Sequence, residues 1–459
     1  MPKTSIIILT CDNLEYNKLC IESIRQYTEQ GTYEIIVVDN NSTDGTVEWL
    51  KQQEDIKLIL NYENLGFPKG CNQGIKLAEE RNDILLLNND TIVTPNWLKN
   101  LKSCLYSDVN IGAVAPVTNN SSYYQAITVN YTNIKEMIEF SETFNIMDTE
   151  KWEQRIKLVG YCMLIKRNVV DKIGLLDERF TPGNFEDDDY SIRIQEAGYK
   201  LILCKDTFIH HFGSATFENA NYNYSKLIER NLKKFEEKWG FNPFYSTIIR
   251  DEIIDLIDAD RDKKINVLEV GCACGATLLK IKDLYKNANI YGIEFDSVPA
   301  KIASNYADIK AEDVENSELS YEKNYFDYII FADVLEHLYN PDIVLQNMKN
   351  YLKNDGKILI SIPNIMHFSI IKGLLNQSFE YEDSGILDKT HIRFFTIKDL
   401  YKMISKIGYK IDRTVIKEYP QYSEDDDVFM KKLFELNKGS KNIKDWEFRA
   451  YQYLLVLKK

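Results

Sequence analysis

The sequence predicts a chain of two α/β domains, each built on a largely parallel sheet. Three features point that way. Apolar runs of strand length alternate with segments of helical spacing through residues 4–89, the pattern of βαβ units. A second series of the same kind starts afresh near residue 264 with a strand, a glycine turn and a helix. The chain has 459 residues, too many for one ordinary core. A break at Asn242-Pro243 is expected to divide it into domains of 1–243 and 244–459.

Composition narrows the class. Hydrophobic residues make up 44% and charged residues 27%, as in globular proteins. The net charge of −14 argues against a nucleic-acid partner, because phosphate contacts need concentrated Lys and Arg. Met1-Pro2-Lys3-Thr4 leads directly into a strand without a signal-peptide h-region, and no apolar run approaches the roughly 20 residues a membrane span needs. The eight scattered cysteines are expected to be reduced, buried thiols of a cytoplasmic protein. Cys272 and Cys274 form a CxC without a second pair, which argues against zinc.

In the first half, Ser5–Thr10 reads as a continuous apolar strand and Leu14–Tyr27 as a helix. Strands follow at Glu34–Val38, Ile56–Leu60 and Asp83–Asn89, with a helix from Asn64 to Ala78. Parallel strands should bring their ends, Asp39 and Asp90, to one edge, where ligands of such sheets bind. In Leu85-Leu86-Leu87-Asn88-Asn89-Asp90-Thr91, alternation along an extended chain lets Asn88 and Asp90 face one ligand. Oxygen ligands of this kind suit Mg²⁺ or Mn²⁺, with phosphate oxygens completing the shell. Residues 118–155 lack a clear sheet pattern and are rich in Asn, Ser and Tyr; they read either as an acceptor-side insertion or as a surface excursion. Leu158–Lys166 returns as a buried strand, Thr207–Phe212 is a further one, and Glu218–Trp239 is an amphipathic helix.

Residues 4 to about 217 resemble family 2 glycosyltransferases of the GT-A fold. The resemblance rests on SIIILTCDN, EIIVVDNNSTDGT, NLGFPKGCNQG, LLLNNDT and GNFEDDDYSIRIQEAGYKL with HHFGS. It implies that Asp39 contacts the base of a nucleotide-sugar donor and that Asn64 and Asn72 line its pocket. It also implies that Asp90 holds a divalent metal on the diphosphate, with His211, slightly favoured over His210, completing the shell. Members often carry Asp-x-Asp where this chain has Asn88-Asn89-Asp90, which leaves the first ligand neutral.

The acid cluster Glu186-Asp187-Asp188-Asp189 opens a helix, where carboxylates favour the N-terminal dipole. Inverting sugar transfer also needs one carboxylate to take the acceptor proton, and crowded acids raise one another's pKa. The family pattern Glu-Asp-x-Asp falls on Glu186, Asp187 and Asp189 and implies Asp187 as the base, with Asp188 and Asp189 as alternatives.

In the second half, a helix is expected over 247–257 and strand Lys264–Val270 enters Gly271-Cys272-Ala273-Cys274-Gly275, followed by helix Ala276–Tyr285. Strand Ile290–Ile293 ends in Glu294, an acid placed to accept ribose hydroxyls. That geometry fits a dinucleotide or S-adenosylmethionine. The loop reads Glu269-x-Gly271-x-x-x-Gly275, not GxGxxG, and an acid before it suits a cationic methionine better than a pyrophosphate. Residues 265 to about 365 then resemble class I S-adenosylmethionine methyltransferases, through VLEVGCACG, GIEFD, FDYIIFADVLEHL and GKILISIPN. The resemblance implies a Rossmann-like fold and a cofactor held by Glu269, Gly271, Gly275 and Glu294, with Asp313 at the adenine. Ala273 replaces the usual middle glycine. A base for methyl transfer is sought among His337, His367 and His391, with His391 and Arg393 on the substrate side.

Together these features imply a bifunctional glycan-building enzyme. One half transfers a sugar from a nucleotide donor, with rhamnose from dTDP-rhamnose as leading expectation and UDP-hexose or UDP-N-acetylhexosamine as alternatives. The other O-methylates a sugar hydroxyl, or acts on an unrelated acceptor, or serves as a binding module. The acceptor is expected to be a glycan, free, lipid-linked or protein-linked, as in bacterial surface polysaccharide or flagellin glycans. The place of work is the cytoplasm, with peripheral attachment at the inner face of a membrane left open.

Overall fold

The computed structural model describes residues 1–213, 224–418, 422–436 and 446–459. Ser214 of the HHFGS motif and residues 218–223 of the expected amphipathic helix lie outside them. The chain divides into two compact units, Met1–Thr247 and Ile248–Lys459.

In chain order the described strands of the first unit are β1 (Thr4–Thr10), β2 (Tyr33–Asn40), β3 (Ile56–Asn61), β4 (Asp83–Asn88), β5 (Thr91–Ile92), β6 (Ile111–Val117), β7 (Trp152–Arg155), β8 (Cys162–Ile165), β9 (Lys200–Phe208) and β10 (His210–His211). All but β5 and β10 form one sheet in the order β3-β2-β1-β4-β8-β6-β9-β7. Ile6, Ile8, Val37, Leu85 and Leu87 bury themselves on one face and Ile7, Ile36, Ile84 and Leu86 on the other. Both faces are covered, which is why these strands read as unbroken apolar runs.

The sheet is mixed rather than parallel throughout. β8 runs antiparallel to β4 and β6, and β7 antiparallel to β9. β7 and β8 follow one another along the chain, and both run opposite to β6 and β9. The region read as lacking sheet pattern contains β7 and a helix, Ile134–Phe144. β7 escapes periodicity because its inward residues are charged: Glu153 and Arg155 are buried and paired at 2.8 Å. The helix Tyr224–Trp239 anchors the loop before the acid cluster, where Asn231 Nδ2 donates to the carbonyls of Phe180 and Gly183.

The second unit holds β11 (Asn266–Val270), β12 (Asn289–Glu294), β13 (Asp308–Ala311), β14 (Phe326–Ala332), β15 (Leu352–Pro363), β16 (Lys410–Glu418) and β17 (Ala450–Lys458). Their order is β13-β12-β11-β14-β15-β17-β16. The first five are parallel, and β17 pairs antiparallel with both β15 and β16. The helix expected over 247–257 is a single turn, Asp251–Ile254.

Candidate active sites

The register of the first sheet places Thr10 opposite Asp39 and Leu9 opposite Asn88, so three strands end at one edge. Asp39 is buried there and accepts bonds from the Ser42 backbone N–H, at 2.9 Å, and from the Ser42 hydroxyl. A carboxylate offers about four lone-pair sites, so Asp39 keeps acceptor capacity for a ligand. Asn64 stands exposed nearby, accepting from Gly66 N at 2.9 Å and from Asn40 Nδ2 at 3.2 Å. Gly66 has φ +77°, and a Cβ there would lie 2.6 Å from Pro182 Cα, so only glycine permits this approach. Asn72 departs from expectation. It is buried, donates to Leu176 O and Glu178 Oε1, and accepts from Leu176 N. Its amide clamps the 176–178 loop.

β4 stops at Asn88, and Asn89-Asp90 forms a turn into β5, which pairs with β10 so that Thr91 faces His211. Asn88 and Asp90 therefore converge through the turn, not by alternation along a strand. Asp90 Oδ1 lies 3.3 Å and Asn88 Nδ2 3.5 Å from His211 Nε2. His211 Nδ1 lies 2.7 Å from the Asn120 carbonyl, and a carbonyl only accepts, so Nδ1 carries a proton. The ring stacks on Tyr161 with centroids 5.2 Å apart. Burial pulls the His211 pKa down, but the Asp90 carboxylate and the Asn120 carbonyl outweigh it, and the net shift is upward. A neutral His211 would aim its Nε2 lone pair at the Asp90 carboxylate, an arrangement relieved by protonation or by a cation between them. Carbonyl-oriented imidazole beside a carboxylate is the donor set of a divalent metal site, so the residues present fit the group. His210 turns away, with Nδ1 2.6 Å from the Tyr131 hydroxyl. Tyr131 itself packs against Phe140 and Phe208.

The four acids of helix Glu186–Glu196 separate into distinct environments. Asp187 is the least buried of them. It accepts from Gly160 N at 3.0 Å and Asp188 N at 2.9 Å. Burial and the Asp188 charge push its pKa up to about 6, against Lys157. Gly160 adjoins Tyr161, whose carbonyl accepts from Asn88 N, which ties this carboxylate to the metal-type cluster through a short run of backbone. Asp188 is paired with Lys157, whose ammonium also lies 4.6 Å over the Tyr123 ring. Glu186 is buried with Oε2 unpartnered, and burial, with Asp187 beside it, drives its pKa far upward. Asp189, expected among the catalytic acids, is fully buried and spent on structure. It binds Arg193 Nε at 2.9 Å, Trp239 Nε1 at 3.0 Å and the Lys238 ammonium.

In the second unit, Gly271 and Gly275 hold φ of +70° and +76°. A Cβ on Gly271 would sit 2.7 Å from Val334 Cγ2, so the loop demands glycine there. Ala273 also has positive φ, +46°, and its N–H donates to Glu294 Oε2 at 2.7 Å. Glu294 Oε1 accepts from Asp296 N. Asp313 lies just beyond β13, where the Glu312 N–H bonds the Glu294 carbonyl, and it accepts from Glu315 N and Asn316 Nδ2. Glu269 is buried with Oε2 unpartnered, and burial pushes its pKa up to about 8 despite Arg250. An orphaned buried carboxylate beside a glycine turn fits a ligand carrying positive charge, as S-adenosylmethionine does. Arg250, which no sequence motif singled out, ties Asp333 at 2.9 Å.

The three histidines of this half part company. His367 caps helix Phe368–Leu375 through Ser369, and burial lowers its pKa to about 4. His391 is buried rather than open to substrate, with Nδ1 2.9 Å from the Ile386 carbonyl. Its ring lies 4.8 Å from that of His337, next to Glu336. Arg393 Nη2 donates to Tyr339 O.

Edge-bound carboxylates on a mixed sheet, followed by a glycine-cradled parallel sheet, define a two-domain transferase architecture. Residues 5–174 match the family model for glycosyl transferase family 2, and residues 220–414 match one for a methyltransferase domain. The chain thus joins a family 2 glycosyltransferase domain of the GT-A type to a Rossmann-like methyltransferase domain. Its relatives include an O-antigen biosynthesis protein of Myxococcus xanthus, 26% identical over 47% of this chain and 18% of that protein. A low-salt glycan biosynthesis hexosyltransferase of Haloferax volcanii is 26% identical over 38% of this chain and 57% of its own. A malonyl-[acyl-carrier protein] O-methyltransferase of Geobacter sulfurreducens is 20% identical over 42% of this chain and 73% of its own. The chain spans less than two thirds of the length of the first curated relatives it matches. Similar solved structures include a mannosyltransferase from Pyrobaculum calidifontis in complex with GDP-Man and Mn²⁺ (18% identity, 52% of this chain and 63% of that one, TM-score 0.37). Another is a SAM-dependent methyltransferase from Archaeoglobus fulgidus (18% identity, 50% and 99%, TM-score 0.34). Among the described residues, no helix is long and apolar enough to cross a membrane.

Proposed function

We propose that the chain is a bifunctional glycan-building enzyme. Its first domain transfers a sugar, with inversion, from a nucleotide donor to an acceptor hydroxyl, and its second O-methylates a sugar hydroxyl. The observation that carries the first half is Asp187: a carboxyl held on Gly160 N, raised to about 6, and linked through Tyr161 to the Asp90–His211 pair. Asp39 would contact the base of the nucleotide-sugar and Asn64 would line the donor pocket. Asp90 and His211 would hold a divalent ion, Mn²⁺ or Mg²⁺, which supplies positive charge to the departing diphosphate. Asp187 removes the acceptor proton as the hydroxyl attacks.

For the second half, Glu269, Gly271, Gly275 and Glu294 would hold S-adenosylmethionine, with Asp313 toward the adenine. The cofactor supplies an electrophilic methyl group. Covalent linkage keeps the product of one reaction at high effective concentration near the other site. The donor class proposed is dTDP-rhamnose, in surface polysaccharide or flagellin glycan synthesis. UDP-linked hexoses or N-acetylhexosamines are the second reading. The test is a panel of nucleotide-sugars with Mn²⁺, acceptor and S-adenosylmethionine. Donor-dependent methylation of the new product is expected; methylation that proceeds equally without donor overturns the sequential scheme.

A further inference from the structure

A second cluster of ligand-type side chains lies in the methyltransferase domain, beside the cofactor cradle, where Val334 packs at Gly271 two residues before Glu336. At the end of β14 the chain makes a short turn, Leu335–His337, which presents Glu336 and His337. The Glu336 carbonyl accepts from both Ile392 N and Arg393 N at 3.0 Å, which fastens the 391–393 segment beside it and delivers His391. One ligand atom from each of Glu336, His337 and His391 lies within 4.8 Å of the others. His391 Nε2 is 3.9 Å from Glu336 Oε1, too far for a hydrogen bond.

Three features separate this cluster from an ordinary buried ion pair. Glu336 is 1% exposed, and neither of its carboxylate oxygens has a hydrogen-bond partner. Orphaned oxygens on a buried carboxylate are costly and call for an occupant. Both imidazoles are oriented by carbonyls: His391 Nδ1 on Ile386 O at 2.9 Å and His337 Nδ1 on Thr390 O at 3.2 Å. Each Nδ1 therefore carries a proton, which leaves Nε2 as the nitrogen that can meet a metal, the outer arrangement of metal-ligating histidines. Finally, His337 is exposed while the other two are buried, so the cluster opens to solvent on one side.

We propose that Glu336, His337 and His391 form a binding site for a divalent first-row transition cation. Two imidazoles and one carboxylate suit Zn²⁺, Fe²⁺ or Mn²⁺. Metal–ligand bonds of roughly 2.0–2.2 Å require ligand atoms about 3–3.5 Å apart, so a small rotation of the side chains closes the site. Three protein ligands would leave a coordination position open, and the exposed His337 marks the side that solvent reaches. In methyl transfer, a role that rests on the reading above, the open position takes the acceptor hydroxyl and acidifies it. The proton passes to water, the oxygen forms a bond to the methyl carbon, and the carbon–sulfur bond breaks to leave a neutral thioether. The metal site itself stands without that role.

The test uses the full chain carrying Asp90→Asn and His211→Ala, which removes the metal-type pair of the first domain. After chelation it is titrated with Co²⁺ and followed by visible d–d absorption. One equivalent per chain is expected, lost when His337→Ala and His391→Ala are added and weakened at least tenfold by Glu336→Gln. Calorimetric binding of S-adenosylmethionine reports whether each variant keeps its fold; where the double-histidine variant loses it, Glu336→Gln decides. No saturable uptake, or uptake that Glu336→Gln leaves unchanged, overturns the site. Retained Co²⁺ binding with methyl transfer indifferent to metal overturns only the role in catalysis.

Discussion

Asp187 and Asp189 are two residues apart in one acid cluster, yet their surroundings predict opposite consequences for replacement by asparagine. Asp187→Asn keeps the shape and one acceptor oxygen, and forfeits the bond from either Gly160 N or Asp188 N. That loss is about 1 kcal/mol, so the melting temperature of a unit this size should fall by about 2–4 °C. The same change removes the proton acceptor and should slow sugar transfer by about 10²–10⁴-fold. Asp189→Asn instead withdraws the negative charge from a fully buried network, leaving Arg193 and Lys238 facing a neutral amide. Breaking a buried pair costs about 3–5 kcal/mol, which at about 2–4 °C per kcal/mol lowers the melting temperature by about 6–20 °C. Differential scanning fluorimetry and a donor-consumption assay on the two variants separate the effects. A fall in melting temperature for Asp187→Asn equal to that for Asp189→Asn, or a Asp187→Asn enzyme with most of its activity, would refute the division of labour.

Other outcomes follow from the same structure. With the Asp187 pKa raised to about 6, sugar transfer should fall about tenfold per pH unit below pH 6 and level off above it, measured as kcat/KM against pH. Only the deprotonated carboxylate accepts a proton, so a rate that rises on acidification contradicts the assignment. Glu269, raised to about 8 by burial, is largely neutral at pH 7, and a cationic ligand favours its ionised form. Affinity for S-adenosylmethionine should therefore strengthen as pH rises toward 8 and flatten beyond, and Glu269→Gln should abolish that slope in calorimetry. Ala273→Gly relieves a left-handed conformation at φ +46° and should stabilise the second unit by about 1 kcal/mol in urea unfolding. No change there would mean that the loop is not strained by Ala273.

The strands and helices were legible where local chemistry is one-dimensional. β1, β2, β4 and β11 are covered on both faces, so their apolar runs are continuous, and glycine turns such as Gly271–Gly275 mark themselves by residue type. β7 was not legible, because its inward face is an ion pair, Glu153 with Arg155, that carries no apolar period. The direction of β8 was equally hidden, since strand sense depends on where the preceding excursion leaves the chain.

The acid cluster and the two asparagines of the donor edge mark the same limit for chemistry. Sequence alone determined that carboxylates gather at strand ends and at the start of one helix, because those residue types and spacings are written in the chain. It could not apportion them. Which acid faces the open edge and which is sealed against Arg193, Lys238 and Trp239 depends on a helix some 50 residues away in the chain, Tyr224–Trp239. Asn72 looks like a pocket residue until the 176–178 loop folds over it and engages both its amide nitrogen and its oxygen. Glu336 and His337 adjoin in sequence, but only the backbone bonds from Ile392 and Arg393 bring His391 to them. Residue type supplies the capacity to bind or transfer a proton. Burial and partners, which are properties of the folded chain, decide whether that capacity is free or already consumed.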